Sequence, residues 1–293
     1  MDEADVLVSI IVVTYNSSGT VLETLESICN QTYQNIELIV TDDCSEDNTV
    51  EVCRKWLSEY GDRFVKTELL TVPENSGIPA NCNRGIRASN GEWIKIIAGD
   101  DILLQNCIFE FVKYISLYPD RKIIFSDIEL FGEGLNDFWI SFWKENFDLF
   151  RKCTTAKTQY QSLLKKNYLP APSCFMKRSV FEELGGYDEQ IIYFEDYPFW
   201  LKATSAGYTL HLLEKRLVKY RICLHSVSTC THEKISFFGY RFSVKEMVFR
   251  IKYIKRYFLF FPLLAKMNTQ KNSYRDGLCI LMIRFVGKVI YFR

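Results

Sequence analysis

Four short apolar runs alternate with helical patterns over the first hundred residues, and this alternation constrains the fold more than any other feature. Each run has the length and the branched side chains of a buried strand. The segments between them repeat apolar residues at helical spacing. Such strand–helix–strand units predict an α/β fold with a mostly parallel central sheet and helices on both faces. The predicted strands are Val6–Val13, Ile36–Val40, Phe64–Val72 and Ile94–Ile97.

Each predicted strand ends in polar, turn-forming residues, and three of the four ends carry carboxylates. In an open α/β sheet, ligands bind outside the carboxyl ends of the strands. One shared site is the simplest explanation of the pattern. The four ends are Thr14-Tyr15-Asn16, Thr41-Asp42-Asp43-Cys44-Ser45, Pro73-Glu74-Asn75-Ser76-Gly77 and Gly99-Asp100-Asp101.

Two adjacent acids, Asp100 and Asp101, follow the fourth strand. Adjacent carboxylates repel each other, and they suit a hard divalent cation that also holds a diphosphate through its oxygens. An equal interpretation of the pair alone is that one acid caps the helix suggested by Cys107–Tyr118. The chain has neither a G-x-G-x-x-G nor a P-loop motif, so a diphosphate would need a metal, which favours the first interpretation.

Charge is distributed unevenly along the 293 residues, although the whole chain is neutral. Residues 234–293 hold 13 Lys and Arg against two acids, a net charge of +11, so the first 233 residues carry −11. This asymmetry suggests an anionic partner for the tail. The apolar content of 48% is that of a globular protein rather than a disordered one.

The chain start, the apolar runs and the cysteines together predict a cytoplasmic protein. The acidic start, Met1–Asp5, has the wrong sign for a secretory signal. The longest apolar run, Tyr257–Ala265, is too short to span a membrane. The ten cysteines show no C-x-x-C spacing, so we expect reduced thiols.

The segment Phe131–Leu169 is rich in Phe, Trp and Tyr, and it has a clear helical pattern only over Tyr160–Leu164. Such aromatics can stack on sugar rings or bind a partner, or they can cover a sheet edge, which we favour. Arg178–Leu184 is predicted as a helix ended by Gly185-Gly186, and Glu195–Trp200 opens another helix. The later predicted strands are Ile123–Phe125, Ser173–Met176, Tyr208–Leu213 and Leu217–Tyr220.

Six short stretches occur in a characteristic order and spacing: Val8–Asn16, Ile39–Ser45, Asn75–Gly85, Ala98–Asp101, Phe181–Glu189 and Glu195-Asp196. Together they resemble the family-2 inverting glycosyltransferases of the GT-A fold, of the type found in bacterial cell-surface polysaccharide synthesis. Each stretch is weak alone, but chance assembly of all six is much less probable than homology. The resemblance covers residues 6–228.

The resemblance implies a GT-A-like, nucleotide-binding α/β sandwich followed by a helical basic C-terminal extension. It divides the chain into a glycosyltransferase domain over residues 1–232 and an extension over residues 233–293. Residues 1–127 would form the nucleotide-sugar half of the domain and residues 128–232 the acceptor half. The implied activity moves a single sugar from a UDP-type donor to a hydroxyl group of a saccharide or lipid-linked acceptor.

The resemblance also implies which residues bind the nucleotide-sugar. Asp42 matches the acid that accepts a hydrogen bond from the uracil ring. Thr14 and Tyr15 match the segment that wraps the base, and Asn16 and Asn75 complete this side of the predicted site.

Asp100 and Asp101 match the family's acids that hold the ribose hydroxyl and the Mn²⁺ or Mg²⁺ that bridges the diphosphate. We assign the metal to Asp101 and the ribose to Asp100. The metal would neutralise the departing nucleoside diphosphate. Many relatives have another acid where this chain has Ala98, which implies weaker metal binding or a site that rests on Asp101 and the diphosphate.

The pair Glu195-Asp196 stands at the start of a predicted helix. Asp196 matches the family's general base, which would take the proton of an acceptor hydroxyl as that oxygen attacks the anomeric carbon. A carboxylate in the first turn of a helix is stabilised as an anion, which suits a base. Glu195 is assigned to support or acceptor contact. A purely capping acid is an equal interpretation of this motif alone, and the upstream motifs favour catalysis.

Two more positions depart from the family pattern. Relatives often carry His two residues after the Arg that matches Arg221, and here that position is Cys223, with His225 two residues further on. Lys202 stands where an Arg is common. The Q-x-x-R-W signature of processive synthases is missing, so we expect transfer of one sugar rather than polymerisation.

The tail over residues 237–293 interleaves aromatic and aliphatic residues with Lys and Arg. Basic amphipathic helices of this kind lie on anionic lipid, which would hold the protein peripherally on the inner face of the cell membrane. An equal alternative is a helical pair packed on the catalytic domain. No recognition motif accompanies the charge, so nucleic acid is disfavoured as a partner.

Two other functions compete with an active transferase. One is a catalytically inactive, nucleotide-sugar-binding scaffold of a glycan assembly complex, and Ala98 and Cys223 are its only support. The other is a nucleotidyltransferase, which needs a basic loop after the first strand, whereas Asn16–Gly19 has no basic residue. We therefore expect an active, metal-dependent glycosyltransferase.

Overall fold

The computed structural model describes residues 6–191, 195–223, 234–237 and 240–243. The chain forms two compact units, Met1–Cys230 and Thr231–Arg293. His225 and the predicted membrane-binding tail beyond residue 243 lie outside the described residues. Within the described ranges, no helix is both long enough and apolar enough to cross a membrane.

The first half of the main sheet consists of four parallel strands in the spatial order β3-β2-β1-β4. The strands are β1 (Val8–Thr14), β2 (Ile36–Asp42), β3 (Lys66–Thr71) and β4 (Trp93–Ala98). Three helices connect them, namely α1 (Val21–Cys29), α2 (Thr49–Tyr60) and α3 (Ile78–Ala88). The predicted strand–helix alternation is confirmed here, with boundaries that differ by one or two residues.

The second half extends the same sheet with strands of mixed direction, in the order β4-β7-β6-β8-β5. β7 runs antiparallel to both β4 and β6, whereas β8 runs parallel to β6. The strands are β5 (Ile102–Leu103), β6 (Ile123–Phe131), β7 (Cys174–Lys177) and β8 (His211–Arg221). The helices are α4 (Cys107–Leu117), α5 (Asp137–Lys152), α6 (Ala156–Leu163), α7 (Arg178–Glu183) and α8 (Asp196–Ser205).

Strand β8 corrects the prediction of two separate late strands. It is continuous through Glu214–Arg216, three exposed charged residues that interrupt the apolar pattern. Its pairing with β6 shifts register on either side of Asp127, which is how the strand passes this point without ending. The three exposed charged residues broke the apolar pattern, so the sequence predicted two strands where backbone pairing with β6 forms one.

Helix α5 was not predicted, because its rings obscure the helical spacing of its buried face. Asn136 caps it, because its side-chain oxygen accepts hydrogen bonds from the amides of Phe138 and Trp139. Phe147 and Phe150 in its second half are buried against the sheet, whereas Phe138 in its first turn is 65% exposed. The Trp143 ring also packs on Tyr220 of β8, with 5.7 Å between centroids, so the helix covers the sheet from Trp143 onward, as we expected of this segment.

Aromatic stacking joins the two halves of the sheet across its buried face. The ring of Phe175 on β7 lies 5.0 Å from Trp93 on β4 and 4.8 Å from Phe111 on α4, measured between ring centroids. All three side chains are almost completely buried. Such stacks add to the stabilisation from burial, and they fix β7 beside the parallel strands.

The described part of the second unit is an antiparallel hairpin rather than a helix. Strand β9 (Lys234–Phe237) pairs with β10 (Tyr240–Ser243). The predicted helical extension is therefore wrong for these residues. The rest of that prediction lies outside the described residues.

Candidate active site

The carboxyl ends of β1, β2 and β4 lie side by side at one edge of the sheet. Thr14 is paired with Asp42, and Val13 is paired with Ala98. Gly99, the residue after β4, packs so closely against Thr14 that a Cβ at this position would lie only 2.9 Å from the Thr14 methyl group. The structure thus brings the polar ends of these three strands to a common edge.

Asp42 is buried, and its carboxylate is held by three hydrogen bonds. Oδ2 accepts from the Thr14 hydroxyl at 2.8 Å and from the Ser45 hydroxyl at 2.6 Å, and Oδ1 accepts from the Ser45 amide at 2.8 Å. These bonds join the ends of β1 and β2 to the turn that follows. Asp42 is therefore fixed in orientation before any ligand arrives.

Asp43, which sequence reasoning did not assign to the site, is the centre of a second network. Its Oδ1 lies 3.1 Å from Nη2 of Arg84, and its Oδ2 accepts from the amides of Ser76 at 3.0 Å and Gly77 at 2.7 Å. Asn75 adds a hydrogen bond from Nδ2 to the Asp43 carbonyl at 3.1 Å. The Asn75-Ser76-Gly77 turn and the Asn83-Arg84-Gly85 motif could have indicated this network in the sequence. An Arg on a helix can reach an acid that a neighbouring turn also binds.

Tyr15 and Asn16 form the turn after β1. The Tyr15 ring is 48% exposed at the polar edge, so it can stack on a planar ligand. Asn16 adopts a left-handed backbone conformation with φ of 51°. Its amide donates to the Ser45 hydroxyl at 2.8 Å, and its Oδ1 accepts from the Glu46 amide at 2.8 Å.

The acids after β4 meet the end of β8. Oδ1 of Asp101 accepts from the Arg221 amide at 2.8 Å, and Nε of Arg221 donates to the Asp100 carbonyl at 2.7 Å. Asp101 is buried, whereas Asp100 keeps some exposed surface. Burial and then the charge of Asp100 raise the pKa of Asp101 well above its usual range. Burial also raises the pKa of Asp100, and the Arg221 charge opposes this.

These two acids fit a divalent cation only if a ligand completes the site. No group of three or more His, Cys, Asp or Glu in the part of the chain that the structure describes could hold a metal. Mg²⁺, however, commonly binds through one or two carboxylates together with substrate phosphates. Burial and the neighbouring charge of Asp100 both disfavour the Asp101 anion and raise its pKa, and a bound cation would offset both effects.

The second acidic pair, Glu195-Asp196, lies at the start of α8. Oδ1 of Asp196 accepts from the Tyr197 amide at 2.6 Å, and Oδ2 accepts from Nδ2 of Asn167 at 2.8 Å. Both acids keep some exposed surface, yet protein surrounds their carboxyl groups. Burial raises the pKa of both, and with the charge of Asp196 it raises that of Glu195 to about 8.

Helix α3 lies between the Asp42-Asp43 turn and this second pair. Its Arg84 binds Asp43, as described above. Its Cys82 is buried, and burial together with the charges of Glu195, Asp196 and Asp43 raises the pKa of the thiol well above its usual value. The acids of β2 and those of α8 therefore face the same helix.

Two departures from the family pattern have clear structural settings. Nζ of Lys202 on α8 donates to the Leu184 carbonyl at the end of α7, so this cation joins two helices. Cys223 follows β8, and burial together with the charge of Asp100 raises the pKa of its thiol. A neutral thiol near the Asp100-Asp101 pair thus stands where an imidazole was expected.

The amino-acid sequence is similar to those of known glycosyltransferases. Residues 9–185 match the family model described as Glycosyl transferase family 2. An uncharacterized glycosyltransferase of Methanocaldococcus jannaschii is 29% identical over 221 residues, which are 74% of this chain and 71% of that protein. Glycosyltransferase GlyG of Streptococcus pneumoniae is 32% identical over 141 residues, which are 48% of this chain and 45% of that protein. The match thus leaves part of each relative uncovered.

Solved structures of S. aureus TarS share the fold. TarS 1-349 in complex with UDP-GlcNAc superposes with a TM-score of 0.62 at 16% identity, over 93% of this chain and 70% of that chain. The complex with UDP gives a TM-score of 0.58 at 22% identity, over 74% of this chain and 61% of that chain. The likeness confirms the predicted GT-A-like α/β architecture.

Proposed function

Because the chain belongs to glycosyl transferase family 2, we propose that it moves a single sugar from a uridine-diphosphate sugar to a hydroxyl group of a saccharide or lipid-linked saccharide. The crystal structures of TarS with UDP and with UDP-GlcNAc support the uridine donor. The observation that carries the proposal is the buried Glu195-Asp196 pair, which faces the same helix as the acids at the end of β2.

The nucleotide would bind at the common edge of β1, β2 and β4. The exposed Tyr15 ring offers a stacking surface for uracil. Thr14 orients Asp42, and Asn75 orders the turn that binds Asp43, so these acids are acceptors whose positions are already set. Preorganised polar groups of this kind bind a ligand without the cost of ordering themselves.

The acids Asp100 and Asp101 would hold Mn²⁺ or Mg²⁺ together with the diphosphate. A cation there supplies positive charge that stabilises the departing nucleoside diphosphate. The Arg221 amide occupies Oδ1 of Asp101, and Asp100 is the less buried of the two. This favours Asp100 as the carboxylate that meets the cation, the reverse of the division that the family resemblance implies.

Asp196 would act as the general base. The acceptor hydroxyl gives its proton to Asp196 as the acceptor oxygen forms a bond to the anomeric carbon. The bond from that carbon to the diphosphate oxygen breaks on the opposite side, and its electron pair leaves with the nucleoside diphosphate, so the configuration inverts. Glu195, with a pKa of about 8, keeps its proton at neutral pH and can donate a hydrogen bond to the acceptor.

The biological setting of this reaction is part of the proposal. Residues 1–127 would bind the donor and residues 128–232 the acceptor, in the synthesis of a surface polysaccharide. The net charge of +11 over residues 234–293 supports contact with the anionic inner face of the cell membrane, where lipid-linked acceptors are found.

The test measures binding and hydrolysis of a panel of nucleotide-sugars, with and without Mn²⁺. The proteins are the wild type, Asp100→Ala, Asp101→Ala and the control Asp148→Ala, which alters an exposed acid on α5. We expect metal-dependent binding of one uridine-sugar that is lost in a variant of the Asp100-Asp101 pair and kept in the control. Binding without turnover under every condition would favour the inactive scaffold, and no binding at all would refute the proposed function.

A further inference from the structure

Asn167 lies between α6 and β7, outside every motif of the family resemblance, and its side chain contacts the proposed base. Its Nδ2 donates to Oδ2 of Asp196 at 2.8 Å, and its Oδ1 accepts from the Leu169 amide at 3.2 Å. A backbone amide can only donate, so this second bond determines which end of the side-chain amide is the oxygen. The amino end must therefore face Asp196.

Buried residues hold the backbone that carries Asn167. Tyr168 and Leu169 are 1% and 2% exposed. Further along the segment, the buried ammonium of Lys95 donates to the Cys174 carbonyl at 3.2 Å. Asn167 thus presents its amide to the start of α8 from a segment that is anchored in the core.

Four titratable groups of the described ranges face Asp196, and none of the four is a cation; the buried ammonium of Lys95 bonds to the Cys174 carbonyl instead. The four are Glu195 beside it, Cys82 from α3, Cys174 from β7 and Tyr187 from the loop before α8. Burial raises the pKa of each of these groups, so all are neutral at pH 7. Stabilisation of the Asp196 anion therefore depends on hydrogen-bond donors.

Two donors bond to this carboxylate, the Asn167 amide and the amide of Tyr197. The nearby Trp200 indole also lowers the pKa of Asp196, although its Nε1 makes no hydrogen bond of normal geometry. We propose that Asn167 is a positioning residue that holds the Asp196 carboxylate in place for proton transfer from the acceptor. This inference rests on the proposed function, in which Asp196 is the base. Asn167 acts through Asp196 and touches neither substrate.

Two variants remove the contact in different ways. Asn167→Ala deletes both hydrogen bonds, whereas Asn167→Asp keeps the shape and the acceptor for the Leu169 amide. In Asn167→Ala we expect the acidic limb of kcat/KM against pH to move upward by about one pH unit, because a hydrogen bond to a charged group is lost. The shift is larger in Asn167→Asp, because a second carboxylate disfavours ionisation of Asp196. The dissociation constant of the donor stays unchanged in both.

Gln159→Ala is the matched control. The Gln159 amide is also buried, and it bonds to the carbonyls of Cys153 and Leu210 rather than to a carboxylate. This control should lower the melting temperature and leave the pH profile in place. If the Asn167 variants behave in the same way, Asn167 is only structural and the inference is overturned.

A direct titration separates this inference from the proposed function. Carboxyl ¹³C resonances of the Asp-labelled protein, with Asp196→Asn for assignment, report the ionisation of Asp196 without substrate. An upward shift in Asn167→Ala supports the inference about Asp196, and absence of turnover in the wild type would refute the proposed function alone. An unmoved resonance in a chain that does transfer sugar overturns the inference and leaves the proposed function intact.

Discussion

The two acidic pairs Asp42-Asp43 and Glu195-Asp196 differ in how completely the protein satisfies them. Asp42 accepts three hydrogen bonds. Asp43 accepts hydrogen bonds from two backbone amides and forms an ion pair with Arg84. Asp196 accepts two hydrogen bonds, and burial leaves Glu195 with a pKa of about 8. Hydrogen bonds and an ion pair thus compensate the charge of Asp42-Asp43, whereas burial of Glu195-Asp196 disfavours the charged form of that pair.

Under the proposed function, this difference separates acids that bind the donor from acids that take part in proton transfer. A fully bonded carboxylate holds its position and presents the same acceptor to every ligand. A buried carboxyl with few partners costs stability, and it is a candidate for proton transfer because its pKa lies nearer neutrality. We expect mutations in the two pairs to diverge accordingly, with loss of stability in the first and loss of activity in the second.

The largest expected effect is on activity in Asp196→Asn. We expect kcat to fall by about 10²–10⁴-fold, the usual contribution of a general base, while the donor dissociation constant is unchanged. The melting temperature should not fall, because the variant removes a buried charge. Steady-state kinetics and isothermal titration with the donor check both, and a loss of less than tenfold would show that Asp196 is not the base.

The next effect is on stability in Arg84→Ala, which leaves Asp43 without its ion-pair partner. The Asp43 side chain is 3% exposed, so we expect the free energy of unfolding to drop by about 3 kcal/mol. Arg54→Ala is the control, since that side chain is 60% exposed and its ion pair with Glu51 is worth less than about 1 kcal/mol. Urea unfolding measures both, and equal losses would contradict the distinction.

A smaller effect concerns the pH dependence of stability in Glu195→Gln. The folded-state pKa of Glu195, about 8, lies above that of an unfolded chain, so the folded state binds the extra proton between these values. Stability contributed by this group is therefore lost as the pH rises toward 8. We expect the variant to melt a few degrees above the wild type at pH 9 and at the same temperature at pH 4. If the difference in melting temperature between the variant and the wild type is the same from pH 4 to pH 9, Glu195 has an ordinary pKa.

The smallest effect is expected in Ser45→Ala, which removes one donor from Asp42. Loss of a hydrogen bond to a charged group costs about 1.5 kcal/mol in the free energy of unfolding. Ser58→Ala is the control because that hydroxyl is exposed and bonds to the Lys55 carbonyl rather than to a carboxylate. Donor affinity should also fall in Ser45→Ala, which titration calorimetry would detect, whereas an unchanged affinity would remove Asp42 from the binding site.

The parallel half of the sheet could be predicted because burial on both faces leaves a direct mark on the sequence. Apolar residues fill β1, β2 and β4 almost without interruption, and polar residues begin where each of these strands ends. The acids Asp100 and Asp101 were found for the same reason, since they directly follow an apolar run. A local sequence pattern is sufficient where burial alone decides whether a segment forms a strand.

The rest could not be predicted because it depends on partners that are distant in sequence. Nothing in the local sequence distinguishes Asp43 from its neighbour Asp42, because the difference is the ion pair that Asp43 forms with the distant Arg84. Asn167 lies 29 residues from Asp196 in an aromatic segment that gives no periodic signal. The hairpin at β9 and β10 shows the same limit, since its basic and aromatic composition resembled that of an amphipathic helix.

The hydrogen bond from the Arg221 amide to Asp101 has a consequence for the order in which the protein is made. It joins residues 120 positions apart, and Arg221 is the last residue of β8. Contacts of such long separation form late, since most of the chain must be in place first. A nascent chain emerging from the ribosome can complete the first four strands early, but its acidic pair gains this partner only after β8 has left the exit tunnel. The proposed cation site would therefore gain this geometry only after the whole of β8 has been made.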